Sequence, residues 1–293
     1  AAEQPPHLVC AVPLIAAMGQ RYEFYYEGGC YLEAHVKTLD FLGYGASDRY
    51  PEMSEPPDAH PPLGRAEEAS HQIEEAVHFI VKRRGVRRVS LVAHSWGTIP
   101  AALYATWESE RIDRLVLFGP VAPRAGSSPS EQPGLAHHAV TVEDQEKRIY
   151  DYVPRGAAPA LLRRHFEPWG RAYLASDPTS ATRPPPSVKV PYGPIAGLES
   201  IWGGGSFPYD PGRILAPTLI VRGEWDSVTT DADARWLSAQ LRSAPVRRDV
   251  VIGRGTHVMH LEESRYQLYR EVETFLLGHD TPETSRPAAG VRR

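Results

Sequence analysis

Short apolar runs of strand length alternate with longer segments of helical periodicity along most of this 293-residue sequence. Strands that alternate with helices along a chain typically form parallel sheets covered by helices on both faces. The sequence therefore predicts an α/β fold with a mostly parallel sheet flanked by helices. The predicted strands are residues 7–13, 33–40, 88–94, 114–118, 218–221 and 248–252, and the predicted helices are 65–84, 99–107, 232–241 and 262–277.

The alternation disappears between about residues 121 and 211. This stretch contains three consecutive prolines, three consecutive glycines and scattered aromatic residues. A structureless loop of such length is rare in a compact domain, so we interpret residues 121–211 as an inserted, partly helical cap. We expect the core to consist of residues 1–120 and 212–278, and residues 279–293 to form a flexible tail.

The composition is that of a globular protein without a general affinity for polyanions. Hydrophobic residues make up 42% of the sequence, which is enough for a sizeable core. Lys and Arg number 32 and Asp and Glu number 36, so the formal charge is −4. This balance gives no basis for binding nucleic acid or anionic membranes. We expect a small-molecule substrate, no nucleic-acid partner, and a monomer or homodimer.

Metal sites and membrane spans are not indicated by the sequence. Cys10 and Cys30 are the only cysteines, and their spacing matches no metal motif, although their redox state stays open. No apolar run approaches the ~20 residues that cross a bilayer. We expect a soluble protein without metal or organic cofactor. Its start, Ala1-Ala2-Glu3, fits either a removed signal peptide or a truncated chain, so localisation stays open, with the cytoplasm slightly favoured over secretion.

The segment Ala93-His94-Ser95-Trp96-Gly97 lies between a predicted strand and a predicted helix. A nucleophilic serine on such a sharp turn needs small residues two positions before and after it, because the strained backbone lies against neighbouring chain. Ala93 and Gly97 meet this requirement. Ser95 is therefore a candidate nucleophile, and the Trp96 N–H is a candidate donor to an oxyanion at the start of the helix. The alternative is a serine that only caps the helix.

A serine nucleophile requires a general base, and a base requires a group that orients it. His257 follows the last predicted strand, so it lies on a loop at the carboxyl end of the sheet. His260 is the rival base, at the predicted start of the last helix. Asp226 follows the predicted strand at 218–221 and is the candidate acid, with Glu224 as its rival.

The order Ser95, Asp226, His257 is that of the serine α/β-hydrolase superfamily. The sequence resembles that superfamily over residues 7–278. The resemblance implies an α/β-hydrolase fold with a lid at residues 121–211, Ser95 as nucleophile, Asp226 as acid and His257 as base. It is carried by Ala-His-Ser-Trp-Gly at 93–97, Asp-x-x-Gly-x-Gly-x-Ser at 40–47, Arg-Gly-Glu-Trp-Asp at 222–226 and Gly-Thr-His at 255–257.

The beginning of the chain departs from this resemblance. Members of the superfamily usually carry His-Gly at the end of the first strand of this core, and that loop donates the second oxyanion N–H. Here Pro13-Leu14-Ile15 occupies the place, and proline has no N–H. Leu14 is the candidate donor, on a loop without the glycine that eases close approach. Loss of one oxyanion donor lowers the rate about 10²- to 10³-fold.

The cap is expected to select the substrate, because catalytic groups at strand ends lie beneath it. Its aromatic residues suit an apolar acyl or aromatic compound. The alternative is that most of them only pack the cap onto the core. The glycines at 203–205 fit either a hinge or an ordinary loop. The candidate substrate-binding residues are Trp169, Tyr173, Trp202 and Phe207.

The sequence therefore predicts a serine hydrolase that cleaves a carboxylic ester, lactone or thioester of an apolar or aromatic small molecule through an acyl-enzyme intermediate. A prolyl aminopeptidase-like peptidase and an acyltransferase with the same triad are alternative enzymes. An alternative of another class is a catalytically silent α/β-hydrolase-fold protein that binds a ligand. The missing His-Gly favours this last alternative, and the complete set of Ser, Asp and His opposes it.

Overall fold

The structure is a computed structural model that describes residues 40–45, 47–124, 134–151, 153–157 and 163–278. The predicted strand at 7–13, Leu14, both cysteines, all but the last residue of the predicted strand at 33–40 and the predicted tail lie outside these ranges. The strands are β1 (Val89–His94), β2 (Ile112–Phe118), β3 (His137–Thr141), β4 (Ser187–Pro191), β5 (Thr218–Gly223) and β6 (Arg247–Ile252). The helices are α1 (Ala66–Arg84), α2 (Thr98–Trp107), α3 (Val142–Asp151), α4 (Arg163–Ala175), α5 (Gly193–Trp202), α6 (Asp231–Gln240) and α7 (Arg265–Leu276).

A parallel sheet with the strand order β1-β2-β5-β6 lies at the centre of the described structure. Side chains of β2 alternate between its two faces, as the pleat requires. Leu115 and Leu117 pack in one apolar cluster with α1 and α2. Val116 and Phe118 pack in a second cluster with α7. Helices therefore cover both faces, which confirms the predicted parallel sheet flanked by helices.

Most predicted elements of the core agree with the structure to within a few residues. α1 ends at Gly85, whose φ of +65° lies in the left-handed region that glycine tolerates. The last helix was predicted from residue 262, but it begins at Arg265. The difference arises because the Glu262 side chain turns back to accept hydrogen bonds from Thr256. The chain from 256 to 262 is therefore a compact turn, which contains His260 in a 3-10 helix.

The segment between β2 and β5 contains α3, α4 and α5 and also an antiparallel pair of strands that the sequence does not predict. β3 and β4 pair from His137 with Pro191 to Thr141 with Ser187. Each strand has only five residues, and about 45 residues separate them. Neither forms a conspicuous apolar run, so their strand conformation depends on a partner that is distant in sequence.

Hydrogen bonds attach the segment between β2 and β5 to residues 40–64. Tyr44 Oη donates to the Pro191 carbonyl at 3.1 Å, and Lys189 Nζ donates to the Met53 carbonyl at 2.6 Å. Arg49 donates to the Ser176 carbonyl at 2.6 Å. β4 and the residues that follow α4 are therefore held against residues 40–64. None of the described helices is both long and apolar enough to cross a membrane.

Candidate active site

Ser95 lies where β1 ends and the chain turns into α2. Its φ of +56° is in the left-handed region, which a residue with a Cβ adopts only under constraint from its surroundings. A single 3-10 turn, Ser95–Gly97, continues into α2, and Thr98 Oγ1 donates to the Ser95 carbonyl at 2.6 Å. This backbone directs the serine hydroxyl toward the carboxyl edge of the sheet.

The imidazole of His257 lies between Ser95 and Asp226. Ser95 Oγ is 2.6 Å from His257 Nε2, and His257 Nδ1 is 2.9 Å from Asp226 Oδ2. The three side chains come from the ends of β1, β5 and β6, and all are buried. A carboxylate accepts from Nδ1–H, and in that tautomer Nε2 carries no proton and can accept the serine proton. The arrangement can activate a hydroxyl group.

The Asp226 carboxylate is held by its own loop. Oδ1 accepts from the N–H groups of Val228 at 2.9 Å and Thr229 at 2.8 Å, and Oδ2 accepts from Thr229 Oγ1 at 2.7 Å. Burial by itself raises the pKa of this carboxyl, but the charge of His257 and the hydrogen bonds outweigh burial and leave the pKa below its usual value. Asp226 is therefore ionised at neutral pH. The rival acid Glu224 is exposed and accepts from the Arg254 N–H at 2.9 Å.

The rival base His260 lies behind this constellation. Its ring is buried 5.1 Å from that of His94, and His94 Nε2 is 2.7 Å from the His257 carbonyl oxygen. Burial lowers the pKa of His260 to about 3, with a further contribution from the charge of His257. Burial also lowers the pKa of His94. Both rings are therefore neutral, and the His94 N–H supports the backbone of His257.

Gly119 follows β2 directly, and no sequence motif indicates a role for it. Its φ is +54°, and a Cβ at this position would lie 3.2 Å from both Asp226 Oδ2 and His257 Nδ1. This is tighter than ordinary contact, and the backbone conformation disfavours any residue with a side chain. Gly119 therefore leaves room for the acid and the base to meet. A glycine directly after a predicted central strand was the available signal.

Glu262 is a second residue that the sequence analysis missed. It is fully buried and accepts from the Thr256 N–H at 3.0 Å and from the Thr256 hydroxyl. Burial raises its pKa. A further constraint is the close approach of β5 to this loop, since a Cβ on Gly223 would lie 1.9 Å from the Gly255 oxygen. These contacts fix the loop that carries His257.

The candidate oxyanion donors are only partly described. Trp96 lies in the first turn of the helical segment that begins at Ser95, where backbone N–H groups have no intrahelical acceptor. The Trp96 N–H therefore fits an oxyanion next to Ser95. Leu14, the other candidate, lies outside the described residues. Among the residues that are described, no group of three or more His, Cys, Asp and Glu side chains could hold a metal ion.

The four candidate substrate-binding residues lie in different surroundings. Trp169 and Tyr173 are buried and stacked at 5.2 Å. The Trp202 indole N–H donates to the Ala122 carbonyl at 3.2 Å, three residues after Gly119. Phe207 packs on Tyr209 and Trp236. Of the four, Trp202 forms a hydrogen bond with a residue shortly after Gly119. Phe207 contacts Trp236 of α6.

The neutral buried histidines predict a pH-dependent stability. The folded His260 has a pKa of about 3, whereas an unfolded histidine has about 6.5. The unfolded chain therefore gains a proton as the pH falls below 6.5, and the folded chain does not. Above pH 6.5, His260 therefore causes no change in the free energy of unfolding with pH. Between pH 6.5 and its folded pKa, the free energy of unfolding falls by about 1.4 kcal/mol for each pH unit.

The measurement is urea unfolding at several pH values from 7 to 4 for wild type, His260→Phe and the control His78→Gln, which changes an exposed histidine of α1. We expect the slope of unfolding free energy against pH to be smaller in His260→Phe than in wild type. The difference should correspond to one proton bound on unfolding, about 1.4 kcal/mol per pH unit. His78→Gln is expected to keep the wild-type slope. An unchanged slope in His260→Phe would show that His260 is already charged in the folded protein.

Comparisons with known proteins agree with this architecture. A family model described as α/β hydrolase fold matches residues 21–264. A 2-hydroxy-6-oxo-6-phenylhexa-2,4-dienoate hydrolase from Rhodococcus sp. strain RHA1 is 18% identical, with 93% of this chain and 92% of that chain covered and a TM-score of 0.60. A serine hydrolase involved in carbazole degradation is 17% identical, with coverages of 92% and 91% and a TM-score of 0.62.

A thioesterase domain from the curacin biosynthetic pathway is also similar. It is 17% identical, with 92% of each chain covered and a TM-score of 0.54. At such identities the likeness to these structures concerns the fold. A comparison with curated proteins gives no match.

Proposed function

Because the chain belongs to the α/β-hydrolase fold family, we propose that it is a serine hydrolase that cleaves a carboxylic ester, lactone or thioester through an acyl-enzyme intermediate. The observation that carries the proposal is the chain of hydrogen bonds through His257, with 2.6 Å to Ser95 Oγ and 2.9 Å to Asp226 Oδ2. Such a chain raises the nucleophilicity of a hydroxyl that is otherwise unreactive at neutral pH.

In the first half of the reaction, Ser95 Oγ attacks the carbonyl carbon while His257 Nε2 takes the serine proton. The negative charge that forms on the carbonyl oxygen accepts from the Trp96 N–H. When the tetrahedral intermediate collapses, the bond to the leaving alcohol or thiol breaks, and His257 returns the proton to it. The acyl group then remains on Ser95.

In the second half, water replaces the leaving group. His257 takes one proton of the water as its oxygen attacks the acyl carbon, and the bond to Ser95 breaks when His257 returns that proton to Oγ. Asp226 remains ionised throughout and stabilises the imidazolium, which forms twice in each turnover. The burial of both groups strengthens this attraction, because little water screens it.

The preference for acyl esters and thioesters over peptides rests on the insertion and on the comparisons. Trp202, which donates to the Ala122 carbonyl, supplies an apolar wall near the segment after Gly119. The similar structures named above are two hydrolases and a thioesterase domain. We propose an apolar or aromatic acyl substrate of low molecular weight, and water as the acceptor.

The test is a panel of p-nitrophenyl esters of increasing acyl length, an acyl-N-acetylcysteamine thioester and prolyl p-nitroanilide. We expect turnover of the esters and the thioester with release of free acid, and none of the anilide. Faster turnover of the anilide would replace the proposal by a peptidase. Acyl transfer to an added alcohol in preference to water would indicate an acyltransferase. Binding of acyl compounds without any turnover would indicate a silent binding protein.

A further inference from the structure

Arg124 follows β2 and donates hydrogen bonds to two residues that come after β5. Its Nε donates to Asp233 Oδ1 at 3.1 Å, and its Nη2 donates to Asp233 Oδ2 at 2.5 Å. The same Nη2 donates to the Val228 carbonyl oxygen at 2.5 Å. One guanidinium therefore joins the backbone of the loop that carries Asp226 to the first turn of α6.

Val228 connects this guanidinium to the candidate acid. Its carbonyl oxygen accepts from Arg124, and its N–H donates to Asp226 Oδ1 at 2.9 Å. The Thr229 N–H donates to the same oxygen at 2.8 Å. The position of the carboxylate that accepts from His257 therefore depends on the backbone of residues 228 and 229, and Arg124 binds that backbone directly.

Asp233 holds the next residue of the same loop. Its Oδ2 accepts from the Thr230 N–H at 2.6 Å and from the Thr230 hydroxyl at 3.1 Å. Asp233 is only 3% exposed, so its charge requires a partner, and the paired N–H groups of a guanidinium suit a carboxylate. The ion pair with Arg124 therefore fixes the chain from Val228 to Thr230.

The indole of Trp202 covers one face of this guanidinium. Arg124 Cζ lies 4.2 Å from the centroid of the Trp202 ring. The indole N–H donates to the Ala122 carbonyl, two residues before Arg124. An aromatic face attracts a guanidinium while the edge of the guanidinium keeps its hydrogen bonds. Trp202 therefore holds Arg124 in the orientation in which it reaches Val228 and Asp233.

We propose that Arg124 is a positioning residue for the reaction, because it holds the backbone of residues 228–230 so that Asp226 meets His257. The inference rests on the proposed function, since it concerns the same site. The described hydrogen bonds of Arg124 go to Val228 and Asp233, so Arg124 acts on the rate through Asp226.

Arg124→Gln is expected to lower kcat by about 10- to 100-fold and to change KM by less than about 3-fold, because displacement of a catalytic group by about 1 Å costs up to 10²-fold in rate. The shorter, uncharged side chain cannot hold Val228 and Asp233 together. Arg124→Lys should recover part of kcat, because it keeps the charge beside Asp233 without the planar fork. The measurement is steady-state kinetics with the p-nitrophenyl ester that wild type hydrolyses fastest.

A double variant distinguishes an effect through Asp226 from any other loss of activity. In Asp226→Asn the acid no longer accepts from His257, so its exact position matters little. Adding Arg124→Gln to Asp226→Asn should therefore lower kcat by less than about 2-fold further. A further loss of about 10-fold or more would show that Arg124 acts by another route, and the proposal would be wrong.

The matched control is Arg183→Gln. Arg183 also pairs with a buried carboxylate, Asp177, and donates to a backbone carbonyl, that of Ser187. We expect Arg183→Gln and Arg124→Gln to lower Tm to a similar extent, because each leaves a buried carboxylate without its arginine. Only Arg124→Gln should lower kcat. An equal loss of kcat in both variants would assign the effect to stability and overturn the proposal.

A second variant keeps the test valid if Arg124→Gln does not fold. Arg124→Gln combined with Asp233→Asn removes both charges of the ion pair, so no unpaired charge remains buried. It also lacks the guanidinium that donates to the Val228 carbonyl. This variant should show the same loss of kcat, and wild-type kcat from it would contradict the proposal.

The rate at which a fluorophosphonate labels Ser95 separates this inference from the proposed function, since labelling needs an activated serine but no turnover. We expect Arg124→Gln to slow labelling by about the same factor as kcat. If wild type is labelled but hydrolyses no substrate of the panel, the hydrolase proposal falls, and slower labelling of Arg124→Gln still supports the inference. If wild type hydrolyses the esters and Arg124→Gln retains both rates, the inference is wrong while the proposed function stands. Absence of labelling in folded wild type would overturn both.

Discussion

Ser95→Ala is expected to lower kcat/KM for any substrate that the protein hydrolyses by about 10⁵- to 10⁶-fold. The hydroxyl is the atom that would attack, and it lies 2.6 Å from His257 Nε2, the atom that would take its proton. The substitution leaves the fold intact, because alanine meets the same backbone constraint at φ +56° as serine does. The measurements are steady-state kinetics, thermal unfolding, and labelling with a fluorophosphonate followed by peptide mapping.

The matched control is Ser54→Ala, which removes an exposed hydroxyl that donates to the Pro51 carbonyl. We expect wild-type rates and wild-type labelling of Ser95 from this variant. If folded Ser95→Ala retains more than about one hundredth of the activity, or if the probe labels another residue of the wild type, then Ser95 is not the nucleophile.

Asp226→Asn is expected to lower kcat by about 10⁴-fold with little change in KM. The reason is the direction in which the amide must lie. Oδ1 accepts from the N–H groups of Val228 and Thr229, so the asparagine oxygen takes that place and its NH₂ group faces His257. The NH₂ donates to Nδ1, which forces the proton onto Nε2 and removes the acceptor for the Ser95 hydroxyl.

Glu224→Gln is the matched control, because it makes the same change at the rival acid two residues earlier. Glu224 accepts from the Arg254 N–H on the exposed side of the loop, so we expect kcat within about 2-fold of wild type. The opposite result, with loss of activity in Glu224→Gln and little loss in Asp226→Asn, would assign the role of the acid to Glu224.

Much of the fold follows from patterns that are local in the sequence. β1, β2 and β5 are mostly apolar because central strands of a parallel sheet are buried on both faces. The apolar stripe of α1 follows from the helical period, and Gly85 provides its end. The placement of Ser95, Asp226 and His257 at one edge follows as well, since each comes after a parallel strand.

Other features depend on contacts that no local pattern encodes. β3 and β4 need each other across about 45 residues. The role of Gly119 depends on the side chains of Asp226 and His257, which are more than a hundred residues away. The turn at 256–262 depends on the buried carboxyl group of Glu262. A glutamate in a sequence by itself predicts an exposed position.

The sequence by itself determined the order of the elements, the parallel sheet and the edge of the sheet at which the candidate site lies. Those properties depend on the spacing at which apolar residues recur in each segment. This spacing can be read from residues that are close together in the sequence. Only the tertiary structure decided which acid and which histidine meet Ser95. Hydrogen bonds are short-ranged and directional, so choices among Asp226, Glu224, His257 and His260 require the assembled loops.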